Sequence, residues 1–278
     1  MSKQILTMAQ PLISLITVVF NGEKLIADTL RSAVNQSYKN IELVIIDGDS
    51  KDSTLELAKK FQEHIGTLIS EPDKGIYDAM NKGIKAAKGE WVYFLNAGDS
   101  FYDDQVLEDI FTKNNLIDYD LVYAKVQTKN EPSGIDYVTG EKVVITDFYS
   151  KYPICHQATF TRKSAFDKIG AYNIQYRLAA DTEWFARFFK LQSEKAIYID
   201  RVIAFYDIQG TTYHKRMQGY KEYLNFGNKH FPFFISVKNH LFYPLLWMKV
   251  KFIRNFQNTP WFKAYRKLKF KDSANQQN

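Results

Sequence analysis

Apolar positions in the first hundred residues follow two alternating patterns. Leu12 to Phe20 reads LISLITVVF, a β-branched run that predicts a buried strand. In residues 23–35, Leu25, Ile26, Leu30, Ala33 and Val34 stand at helical spacing. Ile41 to Asp47 is a second strand-like run. Ser50 and Asp52 then offer N-caps, with Glu56 placed for a capping box ahead of Leu57, Ala58 and Phe61. Thr67 to Ser70 predicts a third strand, and Ile76 to Ala87 a helix with Gly89 as its C-terminal stop. Trp91 to Leu95 predicts a fourth strand. Farther on, Leu121–Val126, Val143–Ile145 and Ile197–Tyr206 read as strands, and 103–111, Lys163–Ile169 and Thr182–Leu191 as helices.

Strands that are apolar throughout, alternating with amphipathic helices, imply an α/β fold whose mostly parallel sheet is covered on both faces. Right-handed crossovers bring the ends of such strands to one edge, where ligands bind. Past the four strands stand Asn21 and Glu23, then Asp47 and Asp49, then Glu71, Asp73 and Lys74, then Asn96 and Asp99. Any of these alone would be ordinary loop chemistry. Together they point to a nucleotide-type site. Asp99 after a buried strand suits Mg²⁺ or Mn²⁺ held jointly with a ligand's phosphates, because such ions take one or two protein carboxylates.

Charge divides the chain. Residues 229–271 hold ten Lys or Arg and no acid, against +6 for the whole, so the remainder is mildly acidic. Twelve aromatics interleave with those bases. No nucleic-acid recognition motif accompanies them. The stretch Leu241–Ile253, flanked by Lys and Trp, suits a helix lying on anionic lipid, and the alternative is a helical pair packed on the body. No apolar run reaches the ~18 residues of a membrane span, and Met1–Gln10 lacks a secretory leader's pattern. A lone Cys155 excludes an intrachain disulfide framework and reads as a packed thiol.

Five motifs occur in order: SLITVVFNGE at 14–23, NQSYKNIELVIIDGDSKDST at 35–54, SEPDKGIYDAMNKGIKAAKGEWVYFLNAGD at 70–99, CHQATF at 155–160 and AADTEWFAR at 179–187. The chain thereby resembles family 2 glycosyltransferases, inverting nucleotide-sugar transferases of the GT-A fold, and within them the bacterial surface-polysaccharide enzymes. The resemblance spans roughly residues 11–215. It implies a domain at 11–215, with a nucleotide-binding half at 11–99 and an acceptor half at 100–215, followed by a basic, aromatic helical extension at 216–278. It places Val18 and Phe20 near the base, with Phe20 stacking, and Asp47 near the base or ribose. Glu23, Asp73, Lys74, Asn96 and His156 complete the expected donor site, and Gln157 stands beside His156. Asp99 matches the metal-binding last acid of the family's motif, whose other acids are here Asn96 and Gly98, and Gly48 replaces a second acid after Asp47. Asp181 matches the general base.

Transfer from a nucleotide diphosphate needs positive charge on the leaving phosphates and a carboxylate to take the acceptor proton. Asp99 with its metal and Lys74 fit the first need, and Asp181 fits the second. His214 could reach the metal. Asp99 could otherwise cap the helix at 103–111, Asp181 could be an N-cap, and Glu183 is a second candidate base. The expected protein is a cytoplasmic glycosyltransferase, peripheral on the inner face of the membrane. It would take a sugar from a nucleotide donor, UDP-linked, to a glycan or glycolipid acceptor, without nucleic acid. The alternatives are a nucleotidyltransferase, a glycoside hydrolase, or a non-catalytic membrane-surface nucleotide- or sugar-binding protein.

Overall fold

The four apolar runs are parallel neighbours in a computed structural model that describes residues 10–129, 136–207, 215–256, 259–265 and 268. They form β1 (Ile13–Val19), β2 (Ile41–Asp47), β3 (Ile65–Ser70) and β4 (Trp91–Phe94). Ile13 is in register with both Ile41 and Trp91, and Val19 with Asp47. Successive residues of a strand point to opposite faces, which explains why both faces of these strands are mostly apolar. Ile16, Val18, Val44 and Ile46 pack with Tyr77, Met80 and Ile84 of α3 (Ile76–Ala86). Ile13, Leu15, Val19, Leu43 and Ile45 pack with Ile26, Leu30 and Ala33 of α1 (Ile26–Val34). Contact with α3 is closest at Gly83, where a Cβ would lie 2.4 Å from Ile16 Cγ2.

A more mixed half continues the sheet. It adds β5 (Ser100–Phe101), β6 (Leu121–Lys129), β7 (Val138–Thr139), β8 (Thr159–Arg162) and β9 (Ala196–Asp207). The order is β3-β2-β1-β4-β8-β6-β9-β5, with β7 paired to β6. β8 runs antiparallel to β4 and β6, while β6 and β9 are parallel. The remaining helices are α2 (Thr54–Lys59), α4 (Val106–Phe111), α5 (Lys163–Ile169), α6 (Ala180–Gln192), α7 (Arg216–His230) and α8 (Phe233–Phe256).

Several local expectations are corrected. Val143–Ile145 is not a strand: the Val144 N–H donates to Asp147 Oδ2 (2.9 Å), which winds Ile145–Tyr149 into a 3₁₀ helix. No capping box opens α2, which starts at Thr54. Asp52 does meet the start of α2, where its Oδ1 accepts Thr54 N (3.0 Å), and Ser50 and Asp52 also accept the backbone N–H groups of Asn21 and Glu23 across the strand ends. α3 ends at Ala86, before Gly89. Gly89 serves a close approach, since a Cβ there would stand 2.7 Å from Leu12 O.

The start of the C-terminal extension is fastened to the body. Tyr223 donates to Phe148 O (2.6 Å), and Tyr152 donates to Gly219 O (2.9 Å). Glu222 of α7 accepts the N–H groups of Leu178 and Ala179 at 2.8 and 3.2 Å. Those two residues lead directly into α6. No helix among the described residues is long and apolar enough to cross a membrane.

Candidate active site

All four parallel strands end on one edge, as their common direction requires. After β1, the loop at 20–23 is braced rather than loose. The Asn21 and Gly22 N–H groups donate to Ser50 Oγ and Thr54 Oγ1, each at 2.8 Å. Glu23 accepts the Ser53 N–H (3.2 Å). This bracing turns the Phe20 ring outward, 66% exposed, while Val18 stays in the core.

Beside Phe20 lies Gly48. A Cβ at 48 would stand 3.0 Å from Asp73 Oδ2 and 3.3 Å from Phe20 Cδ2. A second acid after Asp47 would therefore crowd both neighbours. Asp73 brings a carboxylate to the same wall from the next strand end. Lys82 holds it at 2.6 Å and also reaches Glu71 at 2.9 Å. Asp47 is fully buried. Its Oδ2 accepts Ser50 N (3.0 Å) and Ser70 Oγ (2.6 Å), and its Oδ1 has no partner among the described residues. Lys74 is exposed, and its N–H donates to Asp78 (2.9 Å) at the start of α3. Gly75 has φ +125°, a conformation that favours glycine, and the Arg177 guanidinium lies against it.

After β4 the chain makes a tight turn, closed by Asp99 N donating to Asn96 O (2.8 Å). Gly98 takes φ +100° in this turn. Thr29 of α1 fastens it twice, accepting Gly98 N and donating to Asp99 O, both at 2.9 Å. β5 follows immediately, so Asp99 does not cap the helix that begins at Val106. Gln157 Nε2 lies 3.4 and 3.3 Å from the two carboxylate oxygens of Asp99. Asn96 Oδ1 is buried and has no partner among the described residues.

His156 joins this turn to Asp181. Its Nε2 stands 3.1 Å from Asn96 Nδ2, and its Nδ1 3.2 Å from Asp181 Oδ2. With the amide nitrogen of Asn96 as donor, Nε2 accepts and Nδ1 carries the proton toward Asp181. Burial works against the charged imidazolium. The hydrogen bond and charge of Asp181, with Asp99 behind, outweigh burial and raise the His156 pKa.

Asp181 is the second residue of α6, two past the N-cap Ala179, so it is not itself the cap. Its Oδ1 accepts Thr182 N (2.8 Å) and the Tyr77 hydroxyl (3.0 Å). Burial first, and the neighbouring Asp181 charge second, push the Tyr77 pKa well up, so this hydroxyl remains a donor. Tyr77 was absent from the expected site. Its only signal was its position within the 70–99 motif.

Glu183 has other partners. It is buried and paired with Arg187 (Nε–Oε1 2.9 Å) and His230 (3.2 Å). Burial opposes its ionisation, but hydrogen bonds from His230 and Arg187 prevail and hold its pKa below the ordinary value. The Cys155 thiol donates to Gln157 Oε1 (2.8 Å), and burial pushes its pKa up, as befits an inert thiol. His214 lies outside the described residues. Among the described residues, no three His, Cys, Asp or Glu side chains cluster as metal ligands.

The site therefore lies at the ligand edge of a parallel α/β half-sheet, to which helix α6 of the mixed half brings the Asp181 carboxylate. The profile of Glycosyl transferase family 2 matches residues 14–170, and the chain belongs to that family. It is a glycosyltransferase. A PGL/p-HBAD biosynthesis glycosyltransferase of Mycobacterium bovis is 33% identical over 204 residues, covering 72% of this chain and 78% of the relative. The fold is similar to that of S. aureus TarS 1-349 in complex with UDP (TM-score 0.58, 17% identity, 80% of this chain and 67% of that one). It is also similar to the mannosyltransferase PcManGT from Pyrobaculum calidifontis in complex with GDP-Man and Mn2+ (TM-score 0.61, 15% identity, 95% and 76% coverage).

Proposed function

We propose that this glycosyltransferase moves a sugar from a nucleotide-diphosphate donor, UDP-linked, to an acceptor hydroxyl with inversion at the anomeric carbon. The observation that carries the reading is the His156 bridge, which sets the Asn96–Asp99 turn on one side and Asp181 on the other. Inversion by single displacement needs this division. The leaving diphosphate departs on one face, and a base takes the acceptor proton on the other. Asp181 is held by Tyr77 and Thr182 for that task. Phe20, Gly48 and Asp73, with Asp47 and Val18 beneath, form the wall for the base and ribose. Lys74 offers a positive charge to the phosphates.

The donor set fits Mg²⁺ or Mn²⁺: a carboxylate at Asp99 and a buried amide oxygen at Asn96, with no partner among the described residues, are hard oxygen ligands. Those two residues would hold the ion, and the donor's phosphates would complete its coordination. When bound, it supplies Lewis-acid charge to the leaving group. The PcManGT complex, which contains a sugar nucleotide and Mn2+, supports this reading, and the UDP complex of TarS supports the uridine donor. The name of the mycobacterial relative and the basic tail support a lipid-linked glycan acceptor, met at a membrane surface on the cytoplasmic side.

Calorimetric titration with UDP, GDP and dTDP, each with and without Mn²⁺, tests the donor assignment. Preference for UDP that deepens with Mn²⁺ is expected, and equal, metal-independent binding of all three overturns it. Asp181→Asn should keep nucleotide affinity and lose release of UDP from the sugar donor. Undiminished turnover in that variant refutes its role as base.

A further inference from the structure

Helix α8 has two apolar stripes, and among the described residues the fold covers only one. The residues at Ile235, Ser236, Asn239, Tyr243, Leu246, Val250 and Ile253 are buried or half-buried. Asn239 of this stripe donates to Tyr149 O on the body (2.9 Å). On the opposite side stand Phe234, Val237, Leu241, Leu245, Met248 and Phe252, with exposures of 74, 42, 72, 55, 52 and 47%. At 100° per residue these six fall within an arc of about 80°, and at 1.5 Å per residue they run for about 27 Å. A soluble helix places polar groups on that side. Here the polar groups flank the stripe instead. Lys238 and Lys249 border one edge and Lys251 the other, all exposed. The last described helical stretch, 260–265, folds against the end of α8, where Phe252 and Trp261 ring centres are 6.1 Å apart. Trp261 and Tyr265 are themselves half exposed there.

We propose that this outward stripe of α8 lies flat on an anionic lipid bilayer. The apolar side chains enter the acyl boundary, and the flanking lysines reach the headgroups. The proposal deepens the lipid-linked acceptor reading given above and rests on it only for its purpose; the stripe is independent of the donor chemistry. Charge decides between occupants. No acid occurs in 229–271. Two copies packed stripe to stripe would set lysine rows against each other with no carboxylate between, and like-charge juxtaposition is penalised. An anionic lipid surface supplies the missing counter-charge. A helix that is amphipathic in this sense, and unfit to span, lies in the interface. Because Glu222 of α7 holds the residues leading into Asp181, docking α8 presents the site at a defined height above the lipid.

The full chain should sediment with phosphatidylcholine vesicles containing phosphatidylglycerol and much less with phosphatidylcholine alone. Leu245→Glu with Met248→Glu replaces two exposed residues and so leaves folding intact. It should weaken vesicle binding at least about tenfold, while UDP release from donor in solution stays as in the parent. Lys249→Gln and Lys251→Gln should each cost about fivefold on the anionic vesicles, with a weaker salt dependence. Unchanged binding by the double glutamate variant overturns the proposal. So does a parent dimer that this variant dissolves, which would mean the stripe is covered by a second copy. Absence of donor turnover in the parent is a different failure: it strikes the proposed donor chemistry and leaves the vesicle result standing.

Discussion

Removing the Tyr77 hydroxyl is the sharpest perturbation of the proposed base. Tyr77→Phe keeps the ring, which is buried and packs 5.5 Å from Tyr172. Only the 3.0 Å bond to Asp181 Oδ1 disappears. A hydrogen bond to a charged group contributes about 1.5–3 kcal/mol. Asp181 keeps Thr182 N at 2.8 Å and His156 Nδ1 at 3.2 Å, so its carboxylate is loosened rather than released. The lower end of that range applies, and about 1.4 kcal/mol is a tenfold change in rate. The expected result is kcat about tenfold lower, with KM for the sugar nucleotide within about twofold of the parent. Steady-state UDP release over a donor concentration series measures both. A thermal melt checks that the fold is retained. An unchanged kcat refutes the reasoning, because it would mean that Asp181 needs no orienting partner from α3. A raised KM with kcat intact refutes it differently, by making Tyr77 a donor-binding residue.

Other outcomes follow from the same structure. Glu183→Gln should destabilise the protein at pH 7 by about 1–3 kcal/mol, through its bonds to Arg187 and His230, while the folded variant turns over donor normally. The Glu183 pKa is depressed on folding, so its contribution is complete above the ordinary carboxylate pKa of about 4.3. It is lost as pH falls through the lower folded value, and urea titrations across acid pH should show a flatter stability profile in the variant. Gly83→Ala should lower stability by about 1–3 kcal/mol despite the better helix former, since its Cβ would meet Ile16 at 2.4 Å. An unfolding midpoint at or above that of the parent would contradict the close packing of α3 on β1. Phe20→Ala, at a ring 66% exposed, should leave stability alone and weaken UDP by about 1–3 kcal/mol of lost stacking. Equal calorimetric affinities would remove Phe20 from the base wall.

The first half of the fold was legible because its pattern is local. A strand covered by helices on both faces is mostly apolar at successive positions, and β1, β2 and β4 are. Four such strands in parallel have one ligand edge, so Asn96, Asp99, Asp47 and Asp73 could be grouped before any coordinates. Motif order added Asp181 and His156 from more distant segments. Short-range polar competition was harder to read. Asp147 coils its own neighbours through one hydrogen bond, and nothing in the apolar run at 143–145 announces it.

Only the tertiary structure decided which polar groups meet. Asp181 and Glu183 are two residues apart, about 200° around a helix. Composition cannot choose between them. The fold turns one toward His156 and Tyr77 and seals the other against Arg187 and His230. The glycine at 48 looked like a missing acid, and packing shows Asp73 and Phe20 close against it. In α8 both stripes are apolar, so the sequence announced a basic, aromatic helix without saying which side is covered. That depends on where the body ends, a long-range fact that no local pattern encodes.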